Sequence, residues 1–293
     1  MQQELTAKNR EETSMRIERL YLKDYFPELG ENDANAYMNC YLPDTMAEKE
    51  SGTNPIHPAM VICPGGGYGM VSNREAEPIA LKFLEMGFSV FVVWYSVKPH
   101  FFPQQLLEVA GAMELIHRNA DEWEVDSSNI SIIGFSAGGH LACQYSNRYD
   151  CPEIKAVFPE SRPVKSAVLC YPVITQNPTF THRGTMFNFV GGHEPVDGYE
   201  LGCGCEHLVS EKTPPTFLWH TAEDASVPVE NSLIYASALS AHKVPFELHI
   251  YPFGHHGLGA AEARTCKNWN DKLEYCHQWI GQCKKWLKEI GII

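Results

Sequence analysis

The chain has 293 residues, of which 44% are hydrophobic, 11% aromatic and 20% charged. That composition excludes disorder for the bulk of the molecule and suits one large core, which at this length buries about 75% of the unfolded surface. With 23 basic against 36 acidic residues the net charge is −13, a field that repels phosphate backbones and anionic lipid heads, so neither nucleic acid nor a membrane is an expected partner.

Residues 1–15 are polar, with Leu5, Ala7 and Met15 among their few apolar members, and predict a tail that cannot offset the entropy of ordering. They contain no apolar stretch that would serve as a signal-peptide core. The longest apolar run, Gly87–Val97, is short of the roughly 20 residues a membrane helix needs. A cytoplasmic protein is therefore expected. Ten cysteines spread over a chain of this size predict reduced thiols rather than a disulfide framework.

From Arg16 the pattern changes to short β-rich runs. Ile17–Leu22 and Ala36–Leu42 predict an antiparallel edge pair, followed by a polar loop through Pro55. Apolar runs too short for helices then alternate with helical patterns: Ala59–Cys63 before a helix near Glu75–Met86, Ser89–Trp94 before one near Pro103–Asn119, and Asn129–Phe135 before one near Ala137–Asn147. Lys165–Cys170, Thr216–His220 and Phe246–Tyr251 continue the series, with helices near Val229–His242 and Lys267–Ile290. Continuous apolar strands alternating with helices predict an α/β fold, a mostly parallel sheet of about eight strands with helices on both faces. Residues 16–293 are expected to form a single domain, with Pro172–Pro215 as a partly helical insertion over the strand ends, where open parallel sheets bind ligands.

The segment richest in chemistry is Ile133-Gly134-Phe135-Ser136-Ala137-Gly138-Gly139, a Gly-x-Ser-x-Gly between a strand and a helix. In that setting the glycines permit a sharp turn, a nucleophile elbow, that pushes the serine hydroxyl out above the sheet. A serine needs a base and a group to orient that base. Both candidates follow later strands, in the order Ser, acid, His: Asp224, with Glu223 beside it as a rival, and His256, with His255 beside it. Acyl transfer also needs donors for the developing oxyanion. Cys63-Pro64-Gly65-Gly66-Gly67-Tyr68 follows a strand and offers the N–H groups of Gly65 and Gly66, to act with that of Ala137; it lacks the Gly-Lys-Ser/Thr ending of a phosphate loop. Tyr68 and His255 are further candidates for contact with substrate.

Two other groups lie in the insertion. His193, Cys203, Cys205 and His207 include a Cys-x-Cys-x-His, but the spacing matches no common zinc pattern, and no metal or organic cofactor is expected. Phe180, Phe187, Phe189 and Tyr199 either wall a pocket or pack the insertion.

Over roughly residues 55 to 290 the chain resembles the α/β-hydrolase superfamily, in particular its acetyl-xylan-esterase-like carbohydrate-esterase branch. The resemblance rests on Pro64-Gly-Gly-Gly-Tyr68, Arg74-Glu-Ala-Glu-Pro78, Gly134-Phe-Ser-Ala-Gly-Gly-His-Leu-Ala142, His220-Thr-Ala-Glu-Asp224 with Val227-Pro228, and Gly254-His-His-Gly257. Hormone-sensitive-lipase-like esterases share the elbow but usually carry His where this chain has Pro64. The resemblance implies an α/β-hydrolase fold with a small cap between the sixth and seventh strands. It further implies serine-dependent removal of short acyl groups, typically acetyl, from sugar hydroxyls, with Ser136 as nucleophile, His256 as base and Asp224 as its orienter. The expected partner is a small-molecule or oligosaccharide ester, and self-association into a homo-oligomer stays open. The alternatives are a general short-chain carboxylesterase, an amidase or peptidase, or a non-catalytic binding protein on the same scaffold. Prolyl-oligopeptidase-like enzymes normally add a large gating domain, for which this chain has no room.

Overall fold

The computed structural model describes residues 15–43, 56–191 and 204–293. The expected tail, except for Met15, and the insertion residues His193, Tyr199 and Cys203 lie outside them. Eight strands form one sheet: β1 (Arg16–Tyr21), β2 (Tyr37–Leu42), β3 (His57–Cys63), β4 (Ser89–Trp94), β5 (Val125–Phe135), β6 (Ala167–Cys170), β7 (Thr216–Thr221) and β8 (Phe246–Tyr251). Their order is β1-β2-β4-β3-β5-β6-β7-β8. β1 pairs antiparallel with β2, and β2 with β4; every later pairing is parallel.

The central strands are mainly apolar where both faces are covered. Val61, Ile132, Leu169 and Leu218 point into one core, while their neighbours Met60, Ile62, Ile133, Val168, Phe217 and Trp219 point into the other. The first core is closed by helices α2 (Gln104–Arg118), α3 (Ala137–Arg148) and α6 (Glu230–Ala241), the second by α1 (Glu77–Glu85) and α8 (Gln278–Glu289). The short α4 (Pro152–Val157) was not anticipated by the sequence pattern.

The expected helix over Lys267–Ile290 is broken into α7 (Asp271–Glu274), a 3-10 turn at Tyr275–His277, and α8. The side chain of Asn270 caps α7 by accepting from Lys272 N–H at 3.0 Å. His277 Nδ1 and Trp279 Nε1 then bond the carbonyls of Ala260 and Gly259, tying the turn to the loop after β8. The insertion between β6 and β7 holds α5 (Arg183–Val190), capped by His182 and ended by Gly191 at φ 85°.

Pairing register fixes where the site lies. Cys63 opposes Gly134, Phe135 opposes Cys170, Cys170 opposes Trp219, and Thr221 opposes Tyr251. The strands from β3 to β8 therefore finish at one edge. The strand order reverses at the β3–β5 pair, the crevice where such sheets bind ligands. The nine described cysteines carry free thiols. Among the described residues no helix is long and apolar enough to cross a membrane.

Candidate active site

β5 leads through Ser136 into α3. Ser136 has φ 54° and ψ −118°, a conformation that costs a non-glycine residue about 1–3 kcal/mol and persists where neighbours over-determine it. Its N–H donates to the Cys170 carbonyl at 3.0 Å, and its C=O accepts from the N–H groups of His140 and Val173, each at 3.1 Å. The turn leaves no room for side chains beside it. A β-carbon on Gly134 would stand 2.1 Å from the Gly138 oxygen, and one on Gly138 would stand 2.0 Å from the Cys63 oxygen. Both glycines of the motif are thus demanded by backbone contact.

Ser136, His256 and Asp224 are hydrogen-bonded in series. His256 Nδ1 lies 2.6 Å from Asp224 Oδ2, and His256 Nε2 lies 2.7 Å from Ser136 Oγ. A carboxylate only accepts, so Nδ1 carries the proton and Nε2 is left to accept from the serine hydroxyl. Asp224 is itself held: Oδ1 accepts from the N–H groups of Ser226 and Val227, both at 2.9 Å. Burial opposes its ionisation, but hydrogen bonds from the His220 and His256 rings and from the Val227 amide outweigh it and hold the carboxyl below the usual range. His220 is fixed in turn by Ser232 Oγ at 2.8 Å and the Val227 carbonyl at 2.9 Å.

The neighbours in the sequence face elsewhere. Glu223 is exposed and accepts from Gly254 N–H at 3.2 Å. His255 sets its ring nitrogens against the carbonyls of His256 and Lys267, at 2.8 and 3.1 Å. A neutral ring donates to one of these carbonyls, so the exposed His255 braces the loop through a single hydrogen bond.

The glycine-rich loop abuts the elbow, since a β-carbon on Gly65 would come within 3.0 Å of Ser136 Cβ. Two expectations are corrected here. The N–H of Gly65 donates to the buried Glu75 carboxylate at 2.9 Å and so is not available to an oxyanion. The amides of Gly66, Gly67 and Ala137 have no intramolecular acceptor among the described residues. Tyr68 is 0% exposed, packed against Tyr95, Phe189 and His140, with its hydroxyl 2.9 Å from His140 Nδ1. It is a core residue and presents no surface to a substrate.

In the insertion, Phe189 is buried against Tyr68, Phe102 and His140, whereas Phe187 is exposed. Cys205 is buried beneath α3, with its thiol 3.8 Å from the His140 carbonyl, and the His207 side chain is half exposed. The described residues hold no group of three or more His, Cys, Asp or Glu that would bind a metal ion.

Four residues around the site carry no assignment from the sequence: Glu75, Tyr171, His182 and His220. Glu75 and His220 fall inside the motifs Arg74–Pro78 and His220–Asp224, which was the one signal available for them. His182 accepts through Nδ1 from the N–H of Thr185 at 3.2 Å, with Thr185 Oγ1 at 2.7 Å. Burial first, and then the nearby His256, lower its pKa.

Family models match at both ends of the domain: BD-FAE over residues 40–166, and the Prolyl oligopeptidase family over residues 108–283, more than half of the chain. An acetyl ester-xyloside bifunctional hydrolase from Caldicellulosiruptor lactoaceticus, known as a crystal structure, is 35% identical. It superposes with a TM-score of 0.82 over 97% of this chain and 100% of that one. The chain belongs to the α/β-hydrolase esterase family. A carboxylesterase from Lactobacillus plantarum WCFS1 superposes with a TM-score of 0.79 at 28% identity, covering 96% of this chain and 99% of its own. The acetylxylan esterase of Xylanibacter ruminicola is 30% identical over 263 residues, 88% of this chain and 49% of that protein. Endo-1,4-beta-xylanase B of Butyrivibrio fibrisolvens is 34% identical over 221 residues, 72% of this chain and 34% of that protein. The chain thus spans about half and about a third of these two relatives.

Proposed function

We propose that the protein is a serine hydrolase that removes short acyl groups, acetyl foremost, from acetylated sugars or from xylo- and manno-oligosaccharides. The observation that carries this reading is the unbroken series Ser136, His256, Asp224, set beside backbone amides with no internal acceptor. As Ser136 Oγ attacks the ester carbonyl, His256 Nε2 takes its proton and Asp224 stabilises the imidazolium. The N–H groups of Gly66 and Ala137 receive the oxyanion, the latter at the N-terminus of α3, where the helix dipole favours negative charge. The alcohol leaves with the proton from His256, and water releases the acyl group by the same route. The sugar-ester class is supported by similarity to the acetylxylan esterase and to the acetyl ester-xyloside hydrolase.

A second reading, an amidase or peptidase, is favoured by the Prolyl oligopeptidase model over residues 108–283. Initial rates on 4-nitrophenyl esters from acetyl to octanoyl, on an acyl 4-nitroanilide and on acetylated xylo-oligosaccharide separate the readings, with folded Ser136→Ala beside the native enzyme. Serine-dependent turnover that is fastest on acetyl, with acetate released from the sugar, is the expected result. A longer-chain optimum gives a general esterase, anilide cleavage gives an amidase, and undiminished activity in Ser136→Ala removes the assignment.

A further inference from the structure

We propose that Glu75 is a positioning residue for this hydrolysis, one buried carboxylate that sets both the oxyanion amide of Gly66 and the loop carrying His256. The proposal rests on the serine-hydrolase reading above. Glu75 closes the 3-10 turn Asn73–Glu75 ahead of α1 and is 3% exposed. A carboxylate is rarely buried to this extent unless its oxygens are saturated by donors, and the donors here come from two separate strand ends. Oε2 accepts from Gly65 N–H at 2.9 Å, in the loop after β3. Oε1 accepts from the Tyr171 hydroxyl at 2.8 Å, just past β6. The same hydroxyl oxygen accepts from Gly259 N–H at 2.8 Å, in the loop after β8 that also bears His256.

The first arm acts on the oxyanion site. The Gly65 carbonyl accepts from Ser72 N–H at 2.9 Å, so Gly65 is tied at both its N–H and its C=O. In a planar trans peptide the Gly65 C=O and the Gly66 N–H point in opposite directions. With the carbonyl turned to Ser72, the Gly66 N–H is turned away from it, on a loop that abuts Ser136. Gly66 itself is at φ 128°, open to glycine, and has no other tether on its amide among the described residues. The second arm acts on the base. The Tyr171 ring meets the His256 ring edge-on, 5.2 Å between centroids at 73°, while its hydroxyl holds Gly259. Removing the carboxylate frees both arms together.

The test uses Glu75→Ala, Glu75→Gln and Tyr171→Phe, with Ser136→Ala as reference. It measures kcat and KM on 4-nitrophenyl acetate, the affinity of a trifluoromethyl ketone that forms a tetrahedral adduct with the serine, the affinity of an unreactive amide analogue, and the thermal midpoint. Glu75→Ala is expected to lower kcat by about 100-fold or more, the effect of losing one oxyanion donor, with KM changed less than about threefold. The ketone should weaken by a similar factor and the amide analogue should not. Glutamine keeps an acceptor for Gly65 and loses the one for Tyr171, so Glu75→Gln should recover activity to within about tenfold of native, and Tyr171→Phe should fall about 3- to 30-fold. A Glu75→Ala enzyme with native kcat and a lowered thermal midpoint would leave Glu75 a purely structural brace and overturn the proposal. Equal weakening of ketone and amide analogue would do the same. Should Glu75→Ala fail to fold, native kcat in both other variants overturns it, and a loss in kcat at constant KM supports it. A fully active Ser136→Ala defeats the underlying serine-hydrolase reading, whereas an inactive Ser136→Ala beside a fully active Glu75→Ala defeats this proposal alone.

Discussion

Replacing Asp224 by asparagine exchanges one oxygen for an amino group, and the structure dictates where that group goes. Oδ1 accepts two backbone N–H groups, from Ser226 and Val227, so the amide oxygen of an asparagine must take that place. The amino group then faces His256 Nδ1 and His220 Nε2, both donors in the native arrangement. His256 accommodates it by moving its proton to Nε2, and Nε2–H then donates to Ser136 Oγ instead of accepting from it. The serine keeps its position and loses its base. The expected loss is about 10⁴-fold in kcat, about 5.5 kcal/mol of barrier at roughly 1.36 kcal/mol per decade, with KM little changed. Stopped or initial-rate hydrolysis of 4-nitrophenyl acetate, on protein whose circular dichroism matches native, measures it. A folded Asp224→Asn enzyme within tenfold of native kcat would refute both the tautomer argument and the role given to Asp224. The same carboxyl links stability to pH. Its folded-state pKa is depressed, so its stabilisation is complete above the unfolded value of about 3.9 and is lost as pH falls through the folded value. The difference in unfolding free energy between native and Asp224→Asn should be flat above about pH 5 and shrink below about pH 4.

Two glycines should behave oppositely. Gly138→Ala places a methyl 2.0 Å from the Cys63 oxygen and should cost at least about 3 kcal/mol or abolish soluble expression. Gly281→Ala, inside α8 with nothing within 4 Å of its β-position, should stabilise by about 0.5–1 kcal/mol in denaturant melts; the reverse order would contradict the packing described. Glu108, buried with Ser96 N–H at 2.7 Å and Gln104 Nε2 at 2.9 Å, has its carboxyl pushed up to about 7 by burial, with those hydrogen bonds opposing. The folded form therefore holds a proton that the unfolded chain releases near pH 4.3, and that stabilisation is lost as pH rises from there through about 7. Thermal midpoints from pH 5 to 8 should fall for native protein relative to Glu108→Gln, and parallel profiles would show that Glu108 does not titrate there.

The strands were legible in the sequence for two reasons: β3, β4, β6 and β7 are buried on both faces and read as apolar stretches between loops, while the half-exposed edge strands β1 and β8 read from their β-rich composition. The elbow was legible because the chemistry needs a serine between two glycines at that place, and the 2.1 and 2.0 Å approaches at Gly134 and Gly138 are the contacts behind the pattern. The order Ser136, Asp224, His256 at successive strand ends could also be read in one dimension, since a parallel sheet brings its carboxyl ends to one edge. What the sequence did not carry is the direction of individual groups. That Asp224 turns in to His256 while Glu223 turns out to Gly254 follows from the Val227 and Ser226 amides that hold Oδ1. That Gly65 spends its N–H on Glu75 depends on a carboxylate ten residues away and on a tyrosine just past β6. That Tyr68 is core depends on His140 and Phe189, which the β3–β5 pairing and the insertion bring to it. The C-terminal helix broke where His277 and Trp279 are drawn to the carbonyls of the loop after β8. Periodicity reports the few residues on either side of a position, and it determined the architecture. The leftover N–H is set by groups up to 96 residues apart in the chain and the inward-facing carboxylate meets a histidine 32 residues on, and only the folded structure decides them.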